Sequence, residues 1–422
     1  MYKKIKLGNG LRIVTHRMPR MQSAAIGIWI KAGGRYENIK NKGVAHYIEH
    51  LLFKGSKKYS CKEIKESIEG VGGILNGFTS EEVTCFLVKI PARHLDLAVS
   101  VLSSMVINPL FKLEDIKKER TVILEEIKMY RDLPQSYVHE LLDNLLWPRH
   151  PLGESILGTE ESIVGMAKAD LVSFKEEYYS PANLVVSVAG AFEENKLFNQ
   201  LKNNFSNLSE KNKNNFLPVK EAQDRPQLKI YSKSTEQTHL ALGFHGYRRD
   251  HPLKHALGLL NVILGGNMSS RLFNEVREKR GLAYEIGSQL KRFYDTGAFV
   301  VHAGIDNSKV EAAIGLILKE LAKTKKSLVS NDEFKRAKDF YLGHLEMALE
   351  DTMDNMLWIG ESTITLDKTY ALEEVIKEVN KVERKDLLKT ANDIFNNKSL
   401  NLALIGPISQ RETPIKKQLK IA

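Results

Sequence analysis

The chain has 422 residues, 42% of them hydrophobic and 8% aromatic, which excludes a disordered protein and predicts more than one hydrophobic core. Its net charge of +10 comes from 62 Lys and Arg mixed with 52 Asp and Glu all along the chain; no binding motif accompanies the charge, so nucleic acid is not an expected partner. Two unpaired cysteines, Cys61 and Cys85, exclude a disulfide framework and a cysteine zinc site and fit a reducing compartment, and no uncharged apolar run is long enough for a membrane span.

The N-terminal stretch MYKKIKLGNGLRIVTHRM starts basic without a long apolar segment. It reads as a β-hairpin turning at Gly8-Asn9-Gly10 rather than as a signal peptide, and a cytoplasmic location is expected, with the mitochondrial matrix as second choice. Residues 22–32 alternate like a strand and lead through a polar loop into a helix at 43–53. Helices are expected at 62–71, 94–106 and 113–132, and a strand at 82–90. The polar, Asn- and Lys-rich region 205–227 contains prolines, and residues 211–226 read as a linker. A strand at 236–246 and a helix at 253–264 follow. The pattern then predicts a helix over 267–280, stopped by Gly281, and a pair of strands within 283–303.

The succession strand, polar loop, helix recurs at an offset of about 215 residues, close to half the chain. A duplicated unit is the economical reading, with an N-terminal catalytic domain at 1–210 and a homologous C-terminal domain at 227–422. Strands and helices that do not alternate strictly predict an α+β fold, two α/β-roll domains, each a mostly antiparallel sheet covered by helices.

One helix carries unusual chemistry. In GVAHYIEHLLFKG (43–55), a period of about 100° per residue puts Val44, Ile48, Leu51 and Leu52 on one side and His46, Glu49 and His50 on the other. His46 and His50 are one turn apart, so both imidazoles reach one ion. Catalytic zinc takes three protein ligands and a water. Glu49 stands where a carboxylate takes a proton from that water as it attacks a carbonyl. The order His-x-x-Glu-His is HExxH reversed, the inverzincin signature. A third ligand is sought in LEDIKKERTVILEEIKMYRD (113–132). There Ile116, Ile123, Ile127 and Tyr130 form an apolar stripe, and Glu119 and Glu126 lie along one edge of it, two turns apart. Glu125 points away. Either Glu126 or Glu119 is the third ligand, and the other orients a histidine.

At this point the sequence resembles the pitrilysin/insulinase family of zinc metallopeptidases, in its processing-peptidase branch, in which His-x-x-Glu-His is followed some 75 residues later by Glu-Arg-(x)5-Glu. Here Glu126 lies 76 residues after His50, and Glu119-Arg120 opens the second motif. Further likeness lies in GGILNGFTSEEVT (72–84), HPLGESILGTEESI (150–163), YYSPANLVVSVAG (178–190) and LGGNMSSRLFNEVREKRGLAY (264–284). The resemblance implies one zinc per chain on His46, His50 and Glu126, with Glu49 as general base and Glu119 as supporting carboxylate. It implies a substrate-facing edge strand at 74–79, carrying Asn76, Gly77 (where the family has alanine) and Phe78. It also implies that Arg277 and Tyr284 hold the substrate carbonyl and stabilise the oxyanion. The expected activity is endopeptidase cleavage of unfolded peptides or leader segments. The alternative is a catalytically silent partner or scaffold subunit. The family encloses substrate with four such domains and this chain carries two, so a homodimer, or a heterodimer with a related chain, is expected. Three other histidine groups are set aside. His251 and His255 lack a carboxylate between them, His139-Glu140 has Asp143 where a second histidine belongs, and His150 reads as structural.

Overall fold

The structure, a computed structural model, describes residues 2–209 and 216–421. Residues 211–215 of the expected linker lie outside the described residues. Two compact units divide the chain. The first comprises the described residues of Met1–Lys128, Ser155–Leu217 and Glu346–Leu372, and the second those of Met129–Glu154, Pro218–Leu345 and Glu373–Ala422.

The first unit is built on six strands: β1 (Tyr2–Lys6), β2 (Arg12–Arg17), β3 (Ser23–Ile30), β4 (Ile74–Thr79), β5 (Thr84–Pro91) and β6 (Leu184–Gly190). They lie in the order β1-β2-β6-β3-β5-β4, antiparallel except for the β2–β6 pair. β3, SAAIGIWI, is buried from Ala24 onward, and a strand's period of two explains why it needs no polar alternation. Ala24, Ile26, Ile28 and Ile30 enter a core with the helices α1 (Val44–Leu52), α2 (Cys61–Glu69), α3 (Leu95–Ile107) and α4 (Leu113–Asp132). Ala25 and Trp29 enter a second core with Met356, Ile359 and Ile364 of the helix Thr352–Leu366. A Cβ on Gly360 would collide with the Trp29 ring; glycine there permits the close seating of helix on sheet.

The second unit repeats the plan. Its strands β7 (Gln227–Ser232), β8 (Gln237–Gly246), β9 (Ala283–Arg292), β10 (Gly297–Asp306) and β11 (Asn401–Gly406) lie in the order β7-β11-β8-β10-β9. β7 and β11 are parallel and the remaining pairs antiparallel. This is the order and polarity of β2-β6-β3-β5-β4, so the duplication read from the offset is a duplication of topology. The helix α5 (Pro134–Leu146) packs Val138, Leu141 and Leu142 against Ala241, Ala298, Val300, Ala403 and Ile405 of this sheet.

The units therefore do not follow the halves of the sequence. Residues 129–154 belong with the second sheet and 346–372 with the first, because each sheet needs an apolar helix on its second face and takes it from the other half of the chain. The described end of the expected linker is docked: the Arg35 guanidinium stacks 3.8 Å over the Phe216 ring and donates to the Leu217 carbonyl. The helix expected over 267–280 is shorter. Residues 267–270 form a turn in which Asn267 accepts from the Ser269 N–H, chemistry that competes with helix, and Phe273–Glu278 is wound as a π-helix. The apolar stripe of α4 ends at Ile127; Tyr130 is half exposed. Among the described residues no helix is long and apolar enough to cross a membrane.

Candidate metal centre

The site is built from three elements of the first unit: α1, α4 and the end of β4. α1 starts after Gly43, whose φ of 83° is left-handed, and a Cβ there would strike the Leu157 carbonyl. Glycine adopts that conformation freely but offers no capping side chain. The buried Glu37 caps instead, accepting from the N–H of Gly43 at 2.7 Å and of Ala45 at 2.9 Å, which satisfies free donors at the positive end of the helix. Burial pushes the Glu37 carboxyl up to about 8, against the pull of those two bonds. The Tyr47 phenol donates to the Ile116 carbonyl and ties α1 to α4.

On this frame His46 and His50 present their rings together, centroids 4.6 Å apart. Their Nε2 atoms lie 3.7 and 3.6 Å from Glu126 Oε2, and the donor atoms of all three residues fall within 4.8 Å of one another. Such separations are too long for hydrogen bonds. Two ligands at about 2.0–2.1 Å from a tetrahedral ion stand about 3.3 Å apart, so the spread suits donors arranged around a shared ion. The chemistry fits as well. Burial, reinforced by His50, pushes His46 down to about 3, leaving the neutral imidazole that metals bind. His50 Nδ1 lies 3.0 Å from Glu119 Oε2, which makes Nε2 the free lone pair. The other oxygen of Glu119 is 2.6 Å from Lys54 Nζ. Burial pushes the Glu119 carboxyl up, but His50 and Lys54 together outweigh it and hold it below its ordinary value. His46 Nδ1 is buried without a hydrogen-bond partner among the described residues. Among those residues, no other cluster of three or more His, Cys, Asp or Glu is placed to hold an ion.

Glu49 Oε2 accepts from the Thr79 hydroxyl at 2.7 Å. Burial raises the Glu49 carboxyl above its ordinary value, against Thr79 and His50 and with Glu126. Thr79 ends β4, which among the described residues pairs with β5 alone and has no strand along its other edge. Asn76 and Phe78 are exposed along it. At Gly77 a Cβ would stand 3.1 Å from the Phe53 ring, so glycine lets β4 lie close to the end of α1. Glu125 points to solvent and pairs with Lys128.

Arg277 and Tyr284 belong to the second unit, which brings them together: the guanidinium lies 5.8 Å from the Tyr284 ring and 4.7 Å from that of Phe273. The π-helical turn, with the Lys279 N–H bonded five residues back to Asn274, sets the position of Arg277. Tyr284 is 76% exposed. His150 accepts from the Leu152 N–H within its turn, and His251 stacks on Tyr247. Sequence reasoning missed Glu37, Lys54 and Thr79. Only Lys54 left a signal, its i+4 spacing from His50.

A family profile described as insulinase (peptidase family M16) matches residues 12–160, and one described as peptidase M16 inactive domain matches residues 166–341. The chain is similar to an uncharacterized zinc protease of Bacillus subtilis, 36% identical over 407 residues that cover 96% of this chain and 98% of the relative. It is also similar to one of Streptomyces coelicolor, 34% identical over 416 residues, 97% of this chain and 90% of the relative. Among solved structures, a protease from Helicobacter pylori superposes with a TM-score of 0.91 at 24% identity, over 96% of this chain and 100% of that one. A peptidase M16 inactive domain from Pseudomonas fluorescens does so with a TM-score of 0.89 at 19% identity, over 96% and 98%. At these identities the two structures establish the fold. The candidate cluster of His46, His50 and Glu126 falls wholly within the first profile. In the second, the helix Lys254–Leu264, which follows β8 as α1 follows β3, has one histidine and no carboxylate.

Proposed function

The chain belongs to the insulinase (peptidase M16) family, and on that premise we propose that it is a zinc-dependent endopeptidase acting on unfolded peptides or leader segments. The observation that carries the proposal is the convergence of His46, His50 and Glu126 beside Glu49. Zinc held there supplies a Lewis acid for the scissile carbonyl and lowers the pKa of a water. Glu49 takes the proton of the attacking water; Thr79 holds one of its oxygens, and burial keeps its affinity for the proton high. His46 is neutral and offers Nε2, while Glu119 holds His50 in the matching tautomer. The open edge of β4 takes the peptide as an added strand, with Asn76 and Phe78 exposed beside it.

Arg277 and Tyr284 supply donors to the substrate carbonyl. A second chain, identical or related, completes the site by presenting this pair in trans to the zinc of its partner. The match to an inactive-domain profile does not favour a silent subunit, because it covers the half in which the helix Lys254–Leu264 lacks the ligand set. Metal analysis tests the proposal. The purified chain binds one equivalent of zinc, and His46→Asn and His50→Asn do not. A chain that binds none ends the reading.

A further inference from the structure

We propose that Lys54 is a positioning residue for the zinc site: by holding one oxygen of Glu119 it aims the other at His50 Nδ1, and so decides which nitrogen His50 offers to the metal. The inference rests on the reading of His46, His50 and Glu126 as ligands.

Lys54 follows α1 four residues after His50, on the same side of the helical path. Its Nζ lies 2.6 Å from Glu119 Oε1, while His50 Nδ1 lies 3.0 Å from Oε2. Both oxygens of the carboxylate are thereby committed, one to each neighbour. Glu119 is 5% exposed, so water is poorly placed to replace either partner. With one partner gone, the carboxylate turns about its last bond at the cost of a single contact; with both in place, a turn breaks two charge-assisted bonds. When Oε2 swings away, the Nδ1 proton of His50 loses its acceptor, and the tautomer that carries its proton on Nε2 becomes competitive. That tautomer cannot ligate through the nitrogen facing Glu126. Among the described residues Glu119 is the ion-pair partner of Lys54.

A rival effect has the opposite sign. Lys54 places a positive charge close to a site for a dication, so on Coulombic grounds alone its removal tightens zinc binding. Positioning predicts that removal weakens it. The direction of the change therefore decides.

The experiment measures zinc affinity, by competition with a chromophoric chelator, for the full chain and for Lys54→Met, Lys54→Arg, Glu119→Gln and the double variant Lys54→Met/Glu119→Gln. Lys54→Met is expected to weaken binding roughly tenfold, the lower end of what residues behind the ligands contribute, and Lys54→Arg to restore most of it. With Glu119 already Gln, Lys54→Met changes affinity less than about twofold, because no carboxylate remains to be positioned. Nitrogen NMR of the metal-free, histidine-labelled chain supplies a second readout. His50 carries its proton on Nδ1 in the wild type and exchanges between tautomers in Lys54→Met. If Lys54→Met fails to fold around its buried carboxylate, Lys54→Gln replaces it and must bind zinc more weakly than Lys54→Arg. Unchanged or tighter binding after loss of the lysine overturns the inference, as does an equal loss in both Glu119 backgrounds. A wild-type chain that binds no zinc overturns the ligand reading and this inference together, whereas stoichiometric wild-type zinc with an indifferent Lys54 variant removes the inference alone.

Discussion

Neighbouring glutamates on α4 allow the ligand set to be tested with its own control. Glu126 Oε2 faces both histidine Nε2 atoms at 3.6 and 3.7 Å. Glu125, one residue and 100° away, is exposed and paired with Lys128. Glu126→Gln and Glu125→Gln make the same chemical change in the same helix, so helix propensity and net charge cancel between them. Structural zinc held by four protein ligands, taken as the scale here, is worth about 10–16 kcal/mol at neutral pH. An equal share per ligand is about 2.5–4 kcal/mol, and the loss of one corresponds to roughly 10²–10³-fold in Kd. Glu125→Gln removes an exposed ion pair that contributes little and leaves zinc affinity within about twofold. Competition against a chelator of known affinity reads both variants, with circular dichroism to confirm that each is folded. If the two variants bind zinc equally, Glu126 is not a ligand and the helical-phase argument fails.

Three further perturbations follow. Glu49→Gln keeps near-wild-type zinc, because Glu49 is not a ligand and the amide oxygen still accepts from Thr79, but loses about 10²–10⁴-fold in turnover with its proton acceptor; full zinc with undiminished cleavage removes Glu49 from the mechanism. Glu37, raised from 4.5 to about 8 in the folded chain, holds its proton more tightly folded than unfolded. Its contribution is therefore complete below about pH 4.5 and is lost as pH rises through about 8. Urea unfolding at pH 5 and pH 8 is expected to show stability falling with pH more steeply for the wild type than for Glu37→Gln, and equal slopes contradict this. Finally, Glu49→Gln and Tyr284→Phe chains, each inactive, are expected to regain part of the activity when dissociated and reassociated together, since mixed dimers contain one intact site. A mixture that stays inactive although subunits have exchanged rules out a homodimer with Arg277 and Tyr284 acting in trans.

The grouping of His46, His50 and Glu126 could be read from sequence because its chemistry is local. Two histidines and a glutamate share one face of α1, and the phase of α4 singles out Glu119 and Glu126 over Glu125. β4 was expected only through the family resemblance, although its exposed residues alternate from Ile74 to Phe78. What escaped depends on contacts distant in the chain. The helix Thr352–Leu366 is apolar on the face that meets Trp29, but its own periodicity does not say which sheet it will cover. The role of Glu37 as cap of α1 required the loop to fold back over Gly43, and a polar loop carries no sign of that. Thr79 reaches Glu49 only because β4 ends beside α1. The nearness of the Phe53 ring to Gly77 likewise depends on β4 folding against the end of α1.

The most direct test of the account is mass spectrometry of unstructured peptides incubated with the purified chain in three conditions: with zinc, with a chelator, and with zinc restored after chelation. Internal peptide bonds are expected to be cut with zinc, left intact with the chelator, and cut at the same positions after restoration. Cleavage that survives complete removal of zinc contradicts the central claim. So does a folded, zinc-loaded dimeric chain that cuts no peptide.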